Sequence, residues 1–144
     1  MSANNYPIYS REGEVSTDGT TAMGPTLTTG SDTYTGTNAA NTLVFTADAT
    51  NGSFVQRLRF KPIGSNTATV ARIFINNGAS ATVAGNNHLY GEQTLQATTA
   101  SAVAALVDVD YPLNYALPAG FKIYVQLATT VASGWVVSAI AGNY

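Results

Sequence analysis

Cysteine is absent from this chain of 144 residues, and histidine occurs only once. The absence of cysteine excludes disulfides, thiolate metal sites and cysteine nucleophiles. A chain of this length corresponds to one domain and buries roughly two-thirds of its unfolded surface, so it does not depend on covalent cross-links. The sequence also has no run approaching 18 apolar residues and no apolar stretch at the start, which predicts neither a membrane anchor nor a secretory signal.

Charge is also scarce, at 10% of the residues, whereas roughly 25% is usual for soluble proteins. The net charge is −2, and the six basic residues form no block of the kind that binds nucleic acid. Thr, Ala, Asn and Gly take the place of charged residues. We therefore expect a neutral, hydroxyl-rich surface that costs little to desolvate and suits packing against other protein surfaces.

The sequence motifs of nucleotide-binding and hydrolytic enzymes are missing as well. Neither a GxGxxG nor a GxxxxGK[ST] pattern occurs, and no G-x-S-x-G elbow accompanies the lone histidine, His88. His88 follows Gly-Asn-Asn, which favours a histidine at the edge of a turn. We therefore predict no enzymatic activity and no cofactor.

Alternation of apolar and polar residues dominates what is present, and no stretch has the 3.6-residue period of a helix. Strand-like segments recur about every 10 to 15 residues between Gly-, Asn- and Pro-containing turns. They cover residues 42–48, 54–62, 67–76, 80–85, 86–95, 103–113, 121–129 and 134–144. The pattern predicts an all-β antiparallel sandwich of about eight strands, a number that favours a jelly roll.

Residues 1–25 differ from the rest because they are polar and have no sustained period. We predict an extended N-terminal arm over residues 1–25 and a β-sandwich domain over residues 26–144. Tyr6, Ile8 and Tyr9 are the apolar residues through which the arm would dock on a neighbouring subunit.

Two turns have clear sequence markers. Asn77-Gly78 follows a strand-like segment and predicts a tight hairpin, because both residues tolerate positive φ. In the segment Ala116–Gly120, ALPAG, Pro118 cannot donate to a sheet and Gly120 permits a reversal. We interpret ALPAG as a turn before an inward-facing set that begins at Phe121, since it has no converging polar or aromatic groups that would hold a ligand.

The segment 54–62 carries the main cluster of charge. Its inward residues are predicted to be Phe54, Gln56, Leu58 and Phe60. Its outward cations are Arg57, Arg59 and Lys61, and Arg72 is expected to join them in a basic stripe. This stripe is either a solvated outer face or a contact with an acidic patch on a partner subunit.

Asp108 and Asp110 lie two residues apart, so on a strand they share a face at about 7 Å. Such a pair suits a glycosidase or a calcium site in principle. Glycosidase carboxylates usually come from different strands across a cleft, and calcium needs about six to eight oxygens. The outer face of a strand is therefore the favoured interpretation. Trp135, Tyr124, Tyr90 and the other tyrosines fit either sugar stacking or packing in a core or subunit interface.

Three segments resemble a known family: TATVARIFINNG (67–78), NNHLYGEQTLQATTASAVAAL (86–106) and the sequence from YPLNYALPAG to the last residue (111–144). They are similar to small β-sandwich virion proteins of tailed bacteriophages, many of which decorate or cement the capsid. The resemblance covers residues 54–144, and R-x-F-I-N-N-G and L-P-A-G are its most specific parts.

The resemblance implies a non-enzymatic protein that is made in the host cytoplasm and decorates the outer surface of the capsid. Its partners would be the major capsid protein and further copies of itself, as a homotrimer, but neither nucleic acid nor membrane. The predicted partner-binding residues are Tyr6, Ile8, Tyr9, Arg57, Arg59, Lys61 and Arg72.

Two other functions remain open at this point. A tail or fibre module would bind host-surface glycans through exposed tyrosines and the Asn-rich loops near residues 76–77 and 86–87. A glycan hydrolase would use Asp108 and Asp110, although no further motif supports it.

Overall fold

Period-two alternation builds two antiparallel sheets in the computed structural model, which describes residues 24–144 and the backbone of residues 12–14. The strands are β1 Glu12–Glu14, β2 Thr26–Leu27, β3 Thr42–Thr46, β4 Ser53–Pro62, β5 Thr69–Asn76, β6 Asn87–Leu95, β7 Val109–Leu117, β8 Lys122–Leu127 and β9 Trp135–Asn143. One sheet has the order β1-β9-β4-β7, with β2 also paired to β9, and the other has the order β3-β8-β5-β6. The predicted all-β sandwich is confirmed. No helix in the described part of the chain is long and apolar enough to cross a membrane.

The hydrophobic core lies between the two sheets and takes side chains from both. Its largest fully buried members include Leu58, Phe60, Ile73, Ile123 and Trp135. Each such side chain contributes about 1.5–3 kcal/mol through burial. Of the two interpretations of Trp135, packing in the core is therefore the correct one.

A β-bulge at Gln56 changes the predicted faces of β4. Residues 55 and 57 of β4 pair with consecutive residues 141 and 140 of β9, so Gln56 is an extra residue that reverses the alternation. Before the bulge, Val55 is fully buried, whereas Phe54 and Gln56 are not; their predicted inward positions are wrong. After the bulge, Leu58 and Phe60 face the core as predicted.

The predicted strand over residues 103–113 begins too early. Residues 96–108 form no strand, β7 begins at Val109, and it continues to Leu117. Pro112 lies within β7, which is an edge strand of its sheet and therefore tolerates a residue without an amide hydrogen. The ALPAG turn is confirmed, since Gly120 has φ +75° and the amide of Phe121 donates to the carbonyl of Pro118 at 3.1 Å.

A two-residue hairpin at Asn77-Gly78 is wrong, although β5 and β6 do pair as a hairpin. Residues 77–86 join them in a longer loop that ends in a 3₁₀ turn at Ala84–Asn86, so the predicted strand over residues 80–85 is also wrong. The side chain of Asn76 accepts a hydrogen bond from the amide of Gly78 at 2.8 Å, so a side-chain turn opens the loop. We call residues 77–86 the asparagine loop.

Residues 28–41, which we call the covering segment, cross the outer face of the sheet that contains β8 and β5. The amide of Ser31 donates to the carbonyl of Leu127 at 2.8 Å. Beneath the segment, Gln126 and Phe74 are fully buried although both point away from the core between the sheets. The second sheet therefore has a buried layer on each of its faces.

Most of the predicted arm, including Tyr6, Ile8 and Tyr9, lies outside the described residues. Within residues 1–25, the backbone of Glu12–Glu14 pairs with β9 as an antiparallel strand, with Glu12 opposite Asn143. This piece of the chain is therefore part of a sheet. The docking role of the three apolar residues stays a prediction.

Candidate functional site

The three cations of β4 lie opposite Asp108, which precedes β7, and Asp110, which is the second residue of β7. Pairing of the two strands places Arg59 directly across from Asp110. The Arg59 Nε–Asp110 Oδ1 distance is 3.1 Å, and the Lys61 Nζ–Asp108 Oδ1 distance is 2.8 Å. Arg57 approaches Asp110 at 3.6 Å. The acidic groups that one of the two interpretations placed on a partner are thus supplied by the same chain. We call Arg57, Arg59, Lys61, Asp108 and Asp110 the charge ladder; pairing within it leaves little net charge facing outward.

The ladder also bears on the catalytic hypothesis for Asp108 and Asp110. The hydrogen bond from Arg59 lowers the pKa of Asp110, which favours the ionised form. A glycosidase needs one carboxyl whose raised pKa keeps a proton for the leaving group. Both side chains are more than one-third exposed and pair with cations, which agrees with the outer face of a strand. In the described part of the chain, no three His, Asp or Glu side chains cluster as metal ligands would.

Acidification is expected to weaken the fold through Asp110 and Asp48. Arg59 lowers the pKa of Asp110, and the amides of Asn51 and Thr50 lower the pKa of Asp48, both from an ordinary value of 3.8. Carboxyls with a lower pKa in the folded state stabilise it fully above their unfolded pKa, and this contribution is lost as the pH falls through the folded-state pKa.

Urea denaturation at a series of pH values from about 6 to about 2 measures this loss of stability. The loss occurs between the pKa of each carboxyl in the unfolded state and its lower pKa in the folded state. The Asp110→Asn variant is expected to lose less stability than the wild type below pH 3.8. Identical pH dependence in the two proteins would contradict the role of Asp110.

Arg72 does not belong to the basic stripe, so that part of the prediction is wrong. It lies on β5 in the other sheet and is only 4% exposed beneath the covering segment. Its guanidinium pairs with Asp32 at 2.7 Å and Glu92 at 3.0 Å, and it stacks on the ring of Tyr34 at 3.8 Å. Burial alone would lower the pKa of Arg72, but the hydrogen bonds to Asp32 and Glu92 outweigh it and raise the pKa.

An exposed run of small apolar residues stands next to the charge ladder. Every residue from Ala100 to Val107 is exposed except Leu106, which is half-buried. Val103 is 96% exposed and Val107 is 78% exposed. We call residues 100–107 the apolar loop. Its ends are held to the sandwich, because Thr98 Oγ1 donates to the carbonyl of Gly64 at 2.7 Å and Lys61 Nζ donates to the carbonyl of Leu106 at 2.8 Å.

A cavity of about 370 Å³ lies beside the apolar loop and is lined mostly by apolar side chains, among them Leu106, Val109 and Trp135. The indole N–H of Trp135 is buried and has no acceptor among the described residues. The apolar loop therefore borders a recess as well as projecting from the surface.

A second concave surface lies where the edge strands β6 and β7 of the two sheets meet. Tyr90 of β6 and Tyr115 of β7 face each other with ring centroids 6.2 Å apart and planes inclined by 49°. The groove has a volume of about 480 Å³, and His88 and Phe121 line it beside the asparagine loop. We call it the tyrosine groove.

The sequence identified part of this groove in advance. Tyr90 and the Asn-rich segments were candidates for sugar contact, and the groove brings Tyr90 together with Asn77 and Asn86. Tyr115 was not singled out among the other tyrosines, because its position depends on an irregular backbone at Asn114, which has φ +47°. Asparagine is enriched in this left-handed region, so Asn114 was a weak indication in the sequence that the backbone is irregular there.

His88 lies in the groove at the start of β6, next to the asparagine loop, which agrees with the predicted turn-edge position. Tyr124 lies on β8 and is half-buried. Comparisons of the chain with family models, with curated proteins and with solved structures found no match.

Proposed function

We propose that this chain is a virion structural protein that decorates the outer surface of a bacteriophage capsid. In this proposal it binds the major capsid protein and other copies of itself, as a homotrimer, and acts without catalysis. It would be made in the host cytoplasm and join the particle there. The observation that carries the proposal is the apolar loop, which holds Val103 and Val107 in solvent at the surface of the sandwich.

Exposure of several adjacent apolar side chains is uncommon on a soluble surface, and such patches mark interaction sites. Small residues such as Ala100, Ala102 and Ala104 lose little side-chain entropy when they become buried in a contact. The contact made by one copy can be weak, because copies joined on a repeating lattice bind with avidity. The loop therefore supplies the kind of adhesive surface that decoration requires.

The strand order supports the jelly-roll form of the sandwich. With strands numbered in chain order, the spatial order is 1 or 2, 9, 4 and 7 in the first sheet and 3, 8, 5 and 6 in the second. From β2 to β9 successive strands alternate between the sheets except at β5 and β6, which form a hairpin within one sheet, and this is the arrangement of two Greek keys in a jelly roll. Viral capsid domains are among the proteins built in this way.

The charge ladder suggests how the partner is selected. Because Asp108 and Asp110 already pair with the cations of β4, a strongly acidic partner would have to displace them. We therefore expect Arg57, Arg59 and Lys61 to orient the apolar loop and to set specificity at its rim, where exposed charge pairs contribute little affinity. Binding should then depend only weakly on salt concentration.

Capsids of the encoding phage, purified without this protein, provide the test. The double variant Val103→Asp/Val107→Asp should reduce capsid occupancy by at least about tenfold, since it places charge in a desolvated contact. Cosedimentation measures occupancy, and electron microscopy locates the bound protein.

Val83→Asp is the matched control, because Val83 is 53% exposed in the asparagine loop, outside the apolar loop. It should bind like the wild type. Full occupancy by the double variant, or density of the bound protein only on the tail, would refute the proposal.

A further inference from the structure

We propose that the tyrosine groove is a binding site for a neutral saccharide, a function separate from attachment through the apolar loop. The proposal starts from the backbone, because irregularities in two edge strands converge on the two tyrosines. In β6, residues 89 and 91 pair with consecutive residues 74 and 73 of β5, so Tyr90 is the extra residue of a β-bulge. Bulges at sheet edges commonly redirect a side chain.

A second irregularity lies directly before Tyr115. Between the pairs Val55–Tyr115 and Arg57–Pro112, β7 has one residue more than β4. Asn114 lies in this interval and is the one non-glycine residue with positive φ in the described part of the chain. Such backbone conformations cost about 1–3 kcal/mol and persist mainly where a site requires them. Here both departures from regular pairing serve to place Tyr90 and Tyr115 opposite each other.

The two strands are also held close together behind the tyrosines. Gly91 lies against the hydroxyl of Tyr111, and a Cβ at position 91 would overlap that oxygen. Burial raises the pKa of Tyr111, and nearby Tyr90 adds to the effect, so the Tyr111 hydroxyl stays neutral. The two edge strands are therefore in close contact next to the tyrosines.

The chemistry of the lining selects the ligand class. Aromatic rings at Tyr90, Tyr115 and Phe121 offer apolar faces, whereas Asn77, Asn86 and His88 offer hydrogen-bonding groups. No aspartate, glutamate, lysine or arginine lines the groove in the described part of the chain. A sugar ring presents C–H groups on its faces and hydroxyls at its edge, which matches this combination, and the lack of charge favours an uncharged sugar.

The asparagine loop is fixed before any ligand binds. Asn76 Nδ2 donates to Asn87 Oδ1 at 2.8 Å, Asn77 Nδ2 donates to Asn86 Oδ1 at 3.2 Å, and Asn87 Nδ2 donates to the carbonyl of Ala81 at 2.7 Å. A wall that is already ordered loses little conformational entropy on binding. Tyr90 and Tyr115 are 37% and 40% exposed, so both rings remain open to a ligand.

The test uses the full chain and a panel of maltotriose, lactose, chitotriose and mannotriose, with a uronic-acid trisaccharide and a proline-rich peptide for comparison. Saturation-transfer NMR detects binding, and titration gives Kd. We expect at least one neutral sugar to bind, and Tyr90→Ala and Tyr115→Ala each to weaken it by about tenfold, as loss of one aromatic contact implies.

Tyr34→Ala is the matched control, since Tyr34 is 58% exposed on the covering segment and does not line the groove. It should leave sugar binding unchanged. Tyr90→Phe and Tyr115→Phe retain the ring and should bind within about threefold of the wild type, because stacking is preserved. Thermal denaturation establishes that each variant is folded.

Three results would overturn the proposal: no neutral sugar binds, sugar binding survives both alanine substitutions in folded protein, or only the peptide or the charged sugar binds. The valine variants of the apolar loop should retain sugar binding. Failure of this site is thereby distinguishable from failure of capsid decoration.

Discussion

Replacement of Gln126 by leucine is expected to destabilise the protein by about 3 kcal/mol, although leucine is the more apolar residue. Gln126 is fully buried on β8 beneath the covering segment. Its side-chain nitrogen donates to the carbonyls of Ser31 and Thr33, and its oxygen accepts a hydrogen bond from Asn38 Nδ2 at 2.8 Å. Leucine fills a similar volume but cannot make these three hydrogen bonds, each of which contributes about 0.5–1.5 kcal/mol.

Urea denaturation measures this loss, and hydrogen exchange locates it. The amide of Ser31, which donates to Leu127, should exchange faster in the variant because the covering segment opens. Gln56→Leu is the matched control, since Gln56 is exposed in the β4 bulge and its replacement should change stability by less than about 0.5 kcal/mol. Equal effects of the two substitutions would show that the buried amide does not hold the segment.

Replacement of Gly52 by alanine is expected to lower the free energy of unfolding by about 3 kcal/mol. Gly52 has φ +78°, a region that disfavours any side chain. In addition, a Cβ at position 52 would overlap the carbonyl oxygen of Leu117 at the end of β7. Because the clashing oxygen belongs to the backbone, relief requires the β3–β4 turn to move away from β7.

Gly120→Ala separates the two causes. Gly120 has a similar φ of +75°, but nothing lies within 4 Å of a Cβ built on it. Its replacement should cost about 1 kcal/mol, the penalty for the backbone conformation alone. Thermal and urea denaturation of both variants gives the difference, and equal losses would mean that the contact between Gly52 and Leu117 is not tight.

The turn residues illustrate how far local chemistry reaches. Pro118 and Gly120 define a reversal that needs no tertiary information, because φ preferences act within a few residues. Asn77-Gly78 marked the correct place for the chain to leave β5, but the length of the loop did not follow from the dipeptide. Side chains nine to eleven residues apart, such as Asn76 and Asn87, close that loop.

The candidate sites divide in the same way. Exposure of the β4 cations followed from alternation, whereas their pairing with Asp108 and Asp110 required knowledge of which strand lies beside β4. Tyr90 was a visible aromatic candidate, but its partner Tyr115 comes from an edge strand of the other sheet. A bulge shifts every later residue to the opposite face, and one sequence gives no reliable marker for it.

The sequence by itself determined the all-β class, the positions of most strands and the inward set of β8, because alternation and turn preferences are properties of short segments. Only the tertiary structure decided that Arg72 and Gln126, which point away from the core between the sheets, are buried. Alternation specifies the face on which a side chain lies, but burial depends on whether a distant segment covers that face. Residues 28–41 provide that cover, and it is held by hydrogen bonds between residues that lie far apart in the sequence.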